Sequence, residues 1–140
     1  MNPTYSIIIP HYKTVATLNR CLESIPLCPE AEAIVVDDAS GIPHESMPMH
    51  DNPYVHYIYL DTNSGPGVAR NRGVEAAKGK WIIFIDADDY FLYGAFFLLD
   101  RYKDSDFDLV LFGAEFRDNE TQAKEWRNLL YHRYFGQHSW

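Results

Sequence analysis

Trp81-Ile82-Ile83-Phe84-Ile85-Asp86-Ala87-Asp88-Asp89 is the stretch on which the fold of this sequence turns. Its five consecutive apolar residues, three of them isoleucine, predict a strand buried on both faces, and the run stops at three carboxylates within four positions. Acidic side chains avoid full burial unless they are paired or bound to metal. A buried strand ending in Asp86, Asp88 and Asp89 therefore places them at the carboxyl end of a parallel sheet, where such sheets hold their ligands. Oxygen-only donors suit a hard cation, Mg2+ or Mn2+. Taken alone the residues leave a second reading open, a solvated Asp-rich turn capping the next helix, because Asp-x-Asp is a short pattern.

The flanking sequence repeats the strand signal. Tyr5 to Pro10 and Ala33-Ile34-Val35-Val36 are short β-branched runs, the second running into Asp37 and Asp38, and Val55 to Leu60 is a third. Between the first two, Val15, Leu18, Cys21, Leu22 and Ile25 follow helical spacing and Pro26 closes the helix. Ser40 to Asn52 reads as a loop with at most one helical turn. Thr62-Asn63-Ser64-Gly65-Pro66-Gly67 is a turn leading into a helix over Val68 to Lys78, packed through Val68, Ala69, Val74 and Ala77 and stopped by Gly79. A helix around Tyr93 to Tyr102 and a fifth strand, Leu109 to Phe112, follow. Glu120 to Tyr134 can be drawn as a last helix with Trp126, Leu129, Leu130 and Arg133 on one side. Alternating strands and helices without an internal repeat imply an α/β/α sandwich on a mainly parallel sheet.

At 140 residues the chain fits one domain with a core of its own. A net charge of -8 argues against a nucleic-acid or anionic-membrane surface. Cys21 and Cys28 are read as reduced thiols in a cytoplasmic chain, the first on a helix's inner face. The start lacks the basic and apolar regions of a signal peptide, and no apolar run approaches the roughly 20 residues that span a bilayer. A soluble protein is expected, with peripheral membrane attachment left open.

Right-handed crossovers put every strand's carboxyl end on one edge. Pro10-His11-Tyr12, Asp37-Asp38, Ser64 to Gly67 and Asp86 to Asp89 should meet there. Carboxylates alone would repel a diphosphate, by roughly 1 kcal/mol per pair of charges about 4 Å apart in water and about 4 kcal/mol at an effective dielectric of 20. A divalent cation reverses that sign. Asp38 can accept a base N–H and Asp86 a ribose hydroxyl. Gly65 and Gly67 allow backbone amides to approach the ligand, Arg70 is the arginine expected to face it, and Tyr12 could stack on a base. Solvated arginines on an ordinary helix start, and a rim histidine at His11, are the plainer alternatives. His132 and His138 read as surface groups, and Tyr90, Phe91, Tyr93, Phe96 and Phe97 as packing beneath the acidic turn.

Taken together, Ser6-Ile7-Ile8-Ile9-Pro10-His11-Tyr12, Val35-Val36-Asp37-Asp38-Ala39-Ser40, Ser64-Gly65-Pro66-Gly67-Val68-Ala69-Arg70-Asn71 and Phe84-Ile85-Asp86-Ala87-Asp88-Asp89 resemble the family 2 glycosyltransferases of GT-A fold. The resemblance covers residues 5 to 113. It implies a nucleotide-sugar donor, usually a UDP-sugar, and transfer with inversion at the anomeric carbon to a saccharide or lipid-linked acceptor. Pro10, Tyr12 and Asp38 would hold the base, Gly67 and Arg70 would border the nucleotide, and Asp86 would contact ribose. Asp88 would bind Mg2+ or Mn2+ at the diphosphate. The family pattern commonly reads Pro-x-Tyr-Asn, and Lys13 stands where the asparagine is expected, which bears on the geometry of the base pocket.

The family's catalytic base belongs to a later segment. Glu115, Asp118 and Glu120 lack its context, so no base is assigned. The expectation is a donor-binding portion of a longer enzyme, with an apolar surface where the remainder would sit and self-association through that surface. Two other classes share part of the pattern. A phospho-receiver domain also gathers acids at a parallel sheet edge, but needs a lysine where Gly113-Ala114-Glu115 stands. A nucleotide-sugar binding module without catalysis would use the same donor site.

Overall fold

The structure is a computed structural model and describes residues 1–113. Residues 1–103 form one compact unit, and residues 104–113 belong to a second and take no regular secondary structure. In chain order the first unit contains β1 (Tyr5–His11), α1 (Val15–Glu23), β2 (Ala31–Asp37), β3 (Val55–Tyr59), α2 (Pro66–Ala76), β4 (Trp81–Phe84) and α3 (Ala95–Asp100). A single 3-10 turn, His44–Ser46, interrupts the loop before β3. The four strands form one sheet in the order β3-β2-β1-β4, and every neighbouring pair is parallel.

Side-chain alternation on these strands builds the layers. Tyr5, Ile7 and Ile9 of β1 and Ala31, Ala33 and Val35 of β2 share one core with Leu18, Cys21 and Leu22 of α1, and Phe96 and Leu99 of α3 pack against it. The other face presents Ile34 and Val36 to Ala69 of α2 in a second, smaller core. Ile7, Ile8 and Ile9 are all fully buried because β1 lies inside the sheet with helices on both sides. Each such side chain contributes about 1.5–3 kcal/mol relative to leaving it in water. The expected α/β/α arrangement is therefore present.

Several local expectations need correction. β4 is not buried on both faces: Trp81 and Ile83 pack on the larger core, whereas Ile82 is 39% and Phe84 52% exposed. The reason is that α2 lies over β1 and β2, and β4 is an edge strand among the described residues. Val68 and Val74 do not seat α2 and are exposed; its buried residues are Ala69 and Gly73. A Cβ on Gly73 would stand 2.4 Å from Ile8 Cγ2, so the helix rests on the sheet through its smallest residues. Gly79 does not cap α2, which ends at Ala76. Its amide donates to Ser6 Oγ at 2.8 Å, and a Cβ there would lie 2.5 Å from the Ser6 backbone nitrogen.

That contact belongs to a buried network in which Ser6 Oγ donates to Glu32 Oε1 at 2.6 Å, tying the amino ends of β1 and β2 to the turn after α2. The run Leu109 to Phe112 is not a strand, since apolar composition supplies no pairing partner by itself. Within the expected aromatic packing, Phe91 and Phe96 meet edge to face at 4.9 Å, while Tyr93 and Phe97 are exposed. The helix drawn over 120–134 lies outside the described residues. None of the described helices is long and apolar enough to cross a membrane.

Two predictions follow from this packing. Gly79→Ala should destabilise the fold by about 1–3 kcal/mol through overpacking against β1, whereas Gly67→Ala, which meets nothing within 4 Å, should not; urea unfolding of both variants checks the contrast. Both cysteines are free. Burial, and then the charge of Asp89, pushes the Cys21 thiol up to about 12. Iodoacetamide at pH 8 should label Cys28 of the native protein and reach Cys21 only in denaturant. Because the folded thiol ionises above its unfolded value, this stabilisation is intact below about pH 9 and is lost as pH climbs toward 12.

Candidate active site

The order β3-β2-β1-β4 means that the chain adds strands on one side of β1 and then crosses to the other. Open parallel sheets hold ligands at the carboxyl ends of the strands where the order reverses, which here lies between β1 and β4. A pocket of about 350 Å3 opens at that place. Pro10, Tyr12, Asp38, Arg70, Asp86 and Asp88 all line it, together with His11 and Pro66. Gly67 does not reach the wall; Pro66, Ala69 and Arg70 supply the contribution of α2.

The rim next to β1 is set by two buried acids at the tip of β2. Asp37 Oδ1 lies 2.7 Å from His11 Nδ1, and its Oδ2 accepts the Ser40 amide at 2.9 Å. His11 Nε2 accepts the Thr14 amide at 3.0 Å, which fixes the ring proton on Nδ1, where it is donated to Asp37. Asp38 accepts the amides of Ser64 at 2.7 Å and Gly65 at 2.8 Å, one on each carboxylate oxygen. Gly65 has φ 89° and ψ 164°, a region open essentially to glycine alone, and it is the residue from which α2 starts. Asp38 thus shapes the turn that launches α2 as well as lining the pocket. Lys13 and Ala39, with φ 56° and 60°, adopt left-handed backbone on the two loops that leave β1 and β2. The Lys13 amide donates to Ser40 Oγ at 2.8 Å and the Asp38 amide to the His11 carbonyl at 2.8 Å, so these loops hold each other. Tyr12 stands 45% exposed above them.

On the opposite wall, Asp86, Asp88 and Asp89 each offer a carboxylate oxygen, all within 4.8 Å of one another. Three hard oxygen donors at that spacing fit a divalent cation such as Mg2+ or Mn2+. Burial first, and then the charges of Asp88 and Asp86, hold the Asp89 carboxyl above the ordinary carboxylate range, with Arg20 opposing. Two arginines from different helices reach this turn. Arg70 Nη2 donates to Asp86 Oδ1 at 2.7 Å, whereas Arg72 pairs with Glu75 away from the pocket. Arg20 Nη2, from α1, donates to the Asp88 carbonyl at 2.7 Å.

Three of these groups went unread in the sequence. His11 is a buried residue of the pocket rim, and the alternation Tyr5, Ile7, Ile9, His11 already places it on the inward face opposite Asp37, its register partner. In the sequence Asp37 reads only as a companion of Asp38. Arg20 carries no motif; it is one more polar position on an amphipathic helix. The candidate acids Glu115, Asp118 and Glu120, and His132 and His138, lie outside the described residues.

Solved glycosyltransferases share this parallel three-layer sandwich. S. aureus TarS 1-349 in complex with UDP-GlcNAc matches with a TM-score of 0.60 and 26% sequence identity, over 74% of this chain and 31% of that one. The mannosyltransferase PcManGT from Pyrobaculum calidifontis, in complex with GDP-Man and Mn2+, matches in fold with a TM-score of 0.59 at 21% identity, over 74% of this chain and 32% of that one. In sequence, the succinoglycan biosynthesis protein ExoO of Rhizobium meliloti (strain 1021) is 38% identical over 91 residues, covering 62% of this chain and 26% of ExoO. The profile of glycosyl transferase family 2 matches residues 6–139, and the chain belongs to that family. It spans between 26% and 39% of the length of the curated relatives it matches.

Asp38→Asn replaces one acceptor oxygen by an amide donor facing a backbone N–H. It should destabilise the protein by about 1–3 kcal/mol in urea unfolding, and amide exchange at Ser64 and Gly65 should quicken.

Proposed function

We propose that this chain is the donor-binding part of an inverting glycosyltransferase that takes a nucleotide-diphosphate sugar, a UDP-sugar in particular. The observation that carries the reading is the gathering of Pro10, Tyr12, Asp38, Arg70, Asp86 and Asp88 around one pocket at the β1/β4 switch point. The base lies between Pro10 and Tyr12, stacked on the exposed Tyr12 ring. Asp38 retains lone pairs beyond the two amides it accepts, and takes a base N–H with one of them. Gly67, in the first turn of α2, borders the nucleotide through the backbone amides at that helix start rather than through the wall itself.

Arg70 and Asp86, already paired, face the ribose and the phosphates. Asp88, with Asp86 and Asp89 beside it, holds Mg2+ or Mn2+. When bound, the cation supplies charge neutralisation at the diphosphate, which carboxylates alone would repel. The residues of this chain bind and orient the donor; deprotonation of the acceptor hydroxyl is assigned to a group outside the described residues. The acceptor is a saccharide or a lipid-linked molecule, met in the cytoplasm. The succinoglycan biosynthesis named for ExoO supports a saccharide acceptor.

Isothermal titration of UDP tests the site. Binding should require Mn2+ or Mg2+, and Asp88→Asn should abolish the metal-dependent part while leaving the melting temperature unchanged, since Asp88 is exposed. Equal UDP binding with and without metal would overturn the assignment of Asp88.

A further inference from the structure

The acidic turn has no regular secondary structure, yet helix α1 holds it at three points. Arg20 Nη2 donates to the Asp88 carbonyl at 2.7 Å, and the Arg20 guanidinium lies over the Tyr90 ring, 4.7 Å from its centroid. One turn further along, the Phe91 amide donates to Ser24 Oγ at 3.0 Å, and Ser24 Oγ is itself oriented by donating to the Cys21 carbonyl at 2.6 Å. We propose that Arg20 is a positioning residue for the carboxylates of this turn, fixing Asp88 for a divalent cation; the inference rests on the donor site proposed above.

Geometry supports this role in three ways. The Asp89 amide donates to the Asp86 carbonyl at 3.0 Å, so pinning the Asp88 carbonyl as well leaves the backbone little rotation about the Asp88 Cα–C bond and fixes the base from which its carboxylate extends. The turn is otherwise fixed on its other side, where the Ile85 amide meets the Ile8 carbonyl at 3.2 Å and Arg70 meets Asp86. On the far half, Ala87 and Phe91 pack on the core and Ser24 holds the Phe91 amide, but among these contacts Arg20 alone reaches the Asp88 main chain. A planar guanidinium can also donate in its plane to a carbonyl while lying face-on to an aromatic ring, which a lysine ammonium does not reproduce.

Charge and position predict opposite signs, which makes the role separable. Arg20 is a cation beside a cation site, so by Coulomb's law alone its removal would tighten metal binding. If Arg20 positions Asp88, its removal weakens metal binding despite the lost repulsion. Groups that orient metal ligands are typically worth 10- to 100-fold in affinity, and about tenfold is expected here because the contact is to a backbone carbonyl.

The test titrates the full 140-residue chain with MnCl2 alone, without nucleotide, by calorimetry. Arg20→Met should weaken the Mn2+ dissociation constant about tenfold, Arg20→Lys should fall between it and the unmodified chain, and amide exchange over residues 86–91 should quicken in both before metal is added. Ser24→Ala, which removes the Phe91 contact without altering charge, should shift Mn2+ affinity in the same direction and keeps the test open if Arg20→Met does not fold. Affinity within twofold of the unmodified chain, or tighter, in the folded variants overturns the role of Arg20 while the donor site stands. Failure of the unmodified chain to bind Mn2+ overturns the metal reading of the site and this inference with it.

Discussion

Two adjacent buried carboxylates at the end of one strand are the constraint around which the pocket is built. Asp37 and Asp38 are 2% and 5% exposed, and neither could remain there as an unpaired charge. Asp37 reaches β1 through His11, and Asp38 reaches the start of α2 through the amides of Ser64 and Gly65. Successive side chains on an extended segment diverge, so neighbouring acids recruit different parts of the chain. Two segments far apart in sequence are thereby drawn to one strand tip, and the concave site lies where they meet.

The opposite wall manages charge differently. Asp86, Asp88 and Asp89 are exposed, and water shares the burden that hydrogen bonds carry for Asp37 and Asp38. Arg70 comes from the helix below the pocket and Arg20 from the helix on the other face of the sheet, so the turn is gripped from both layers. One wall is thus fixed by burial, and the other keeps carboxylates available to a ligand.

Much of this was legible in the sequence because strand ends and their flanking acids are local signals. The runs Ile7-Ile8-Ile9 and Ile34-Val35-Val36 announce buried strands, although each strand continues one residue past its expected end, to His11 and Asp37, because Pro10 still pairs with Val36. The hydrophobicity of Trp81 to Phe84 overstates their burial because it reports what a strand could bury, not whether α2 extends over it. Val68 and Val74 misled for a related reason: helix seating on a sheet is decided by how closely backbones approach, and Gly73 permits an approach that valine prevents. The grip of Arg20 on Asp88 joins residues 68 apart in sequence through a main-chain oxygen, which no pattern of side-chain types encodes.

The left-handed backbone at Lys13 and Ala39 bears on how portable the rim is. Each such residue sits about 1–2 kcal/mol above its relaxed geometry, so neither loop would choose this shape by itself. The strands impose it from their fixed ends, with the Lys13 to Ser40 bond closing the span. Excised as peptides, or transplanted onto a scaffold with different strand spacing, these loops would relax and the recess above them would flatten.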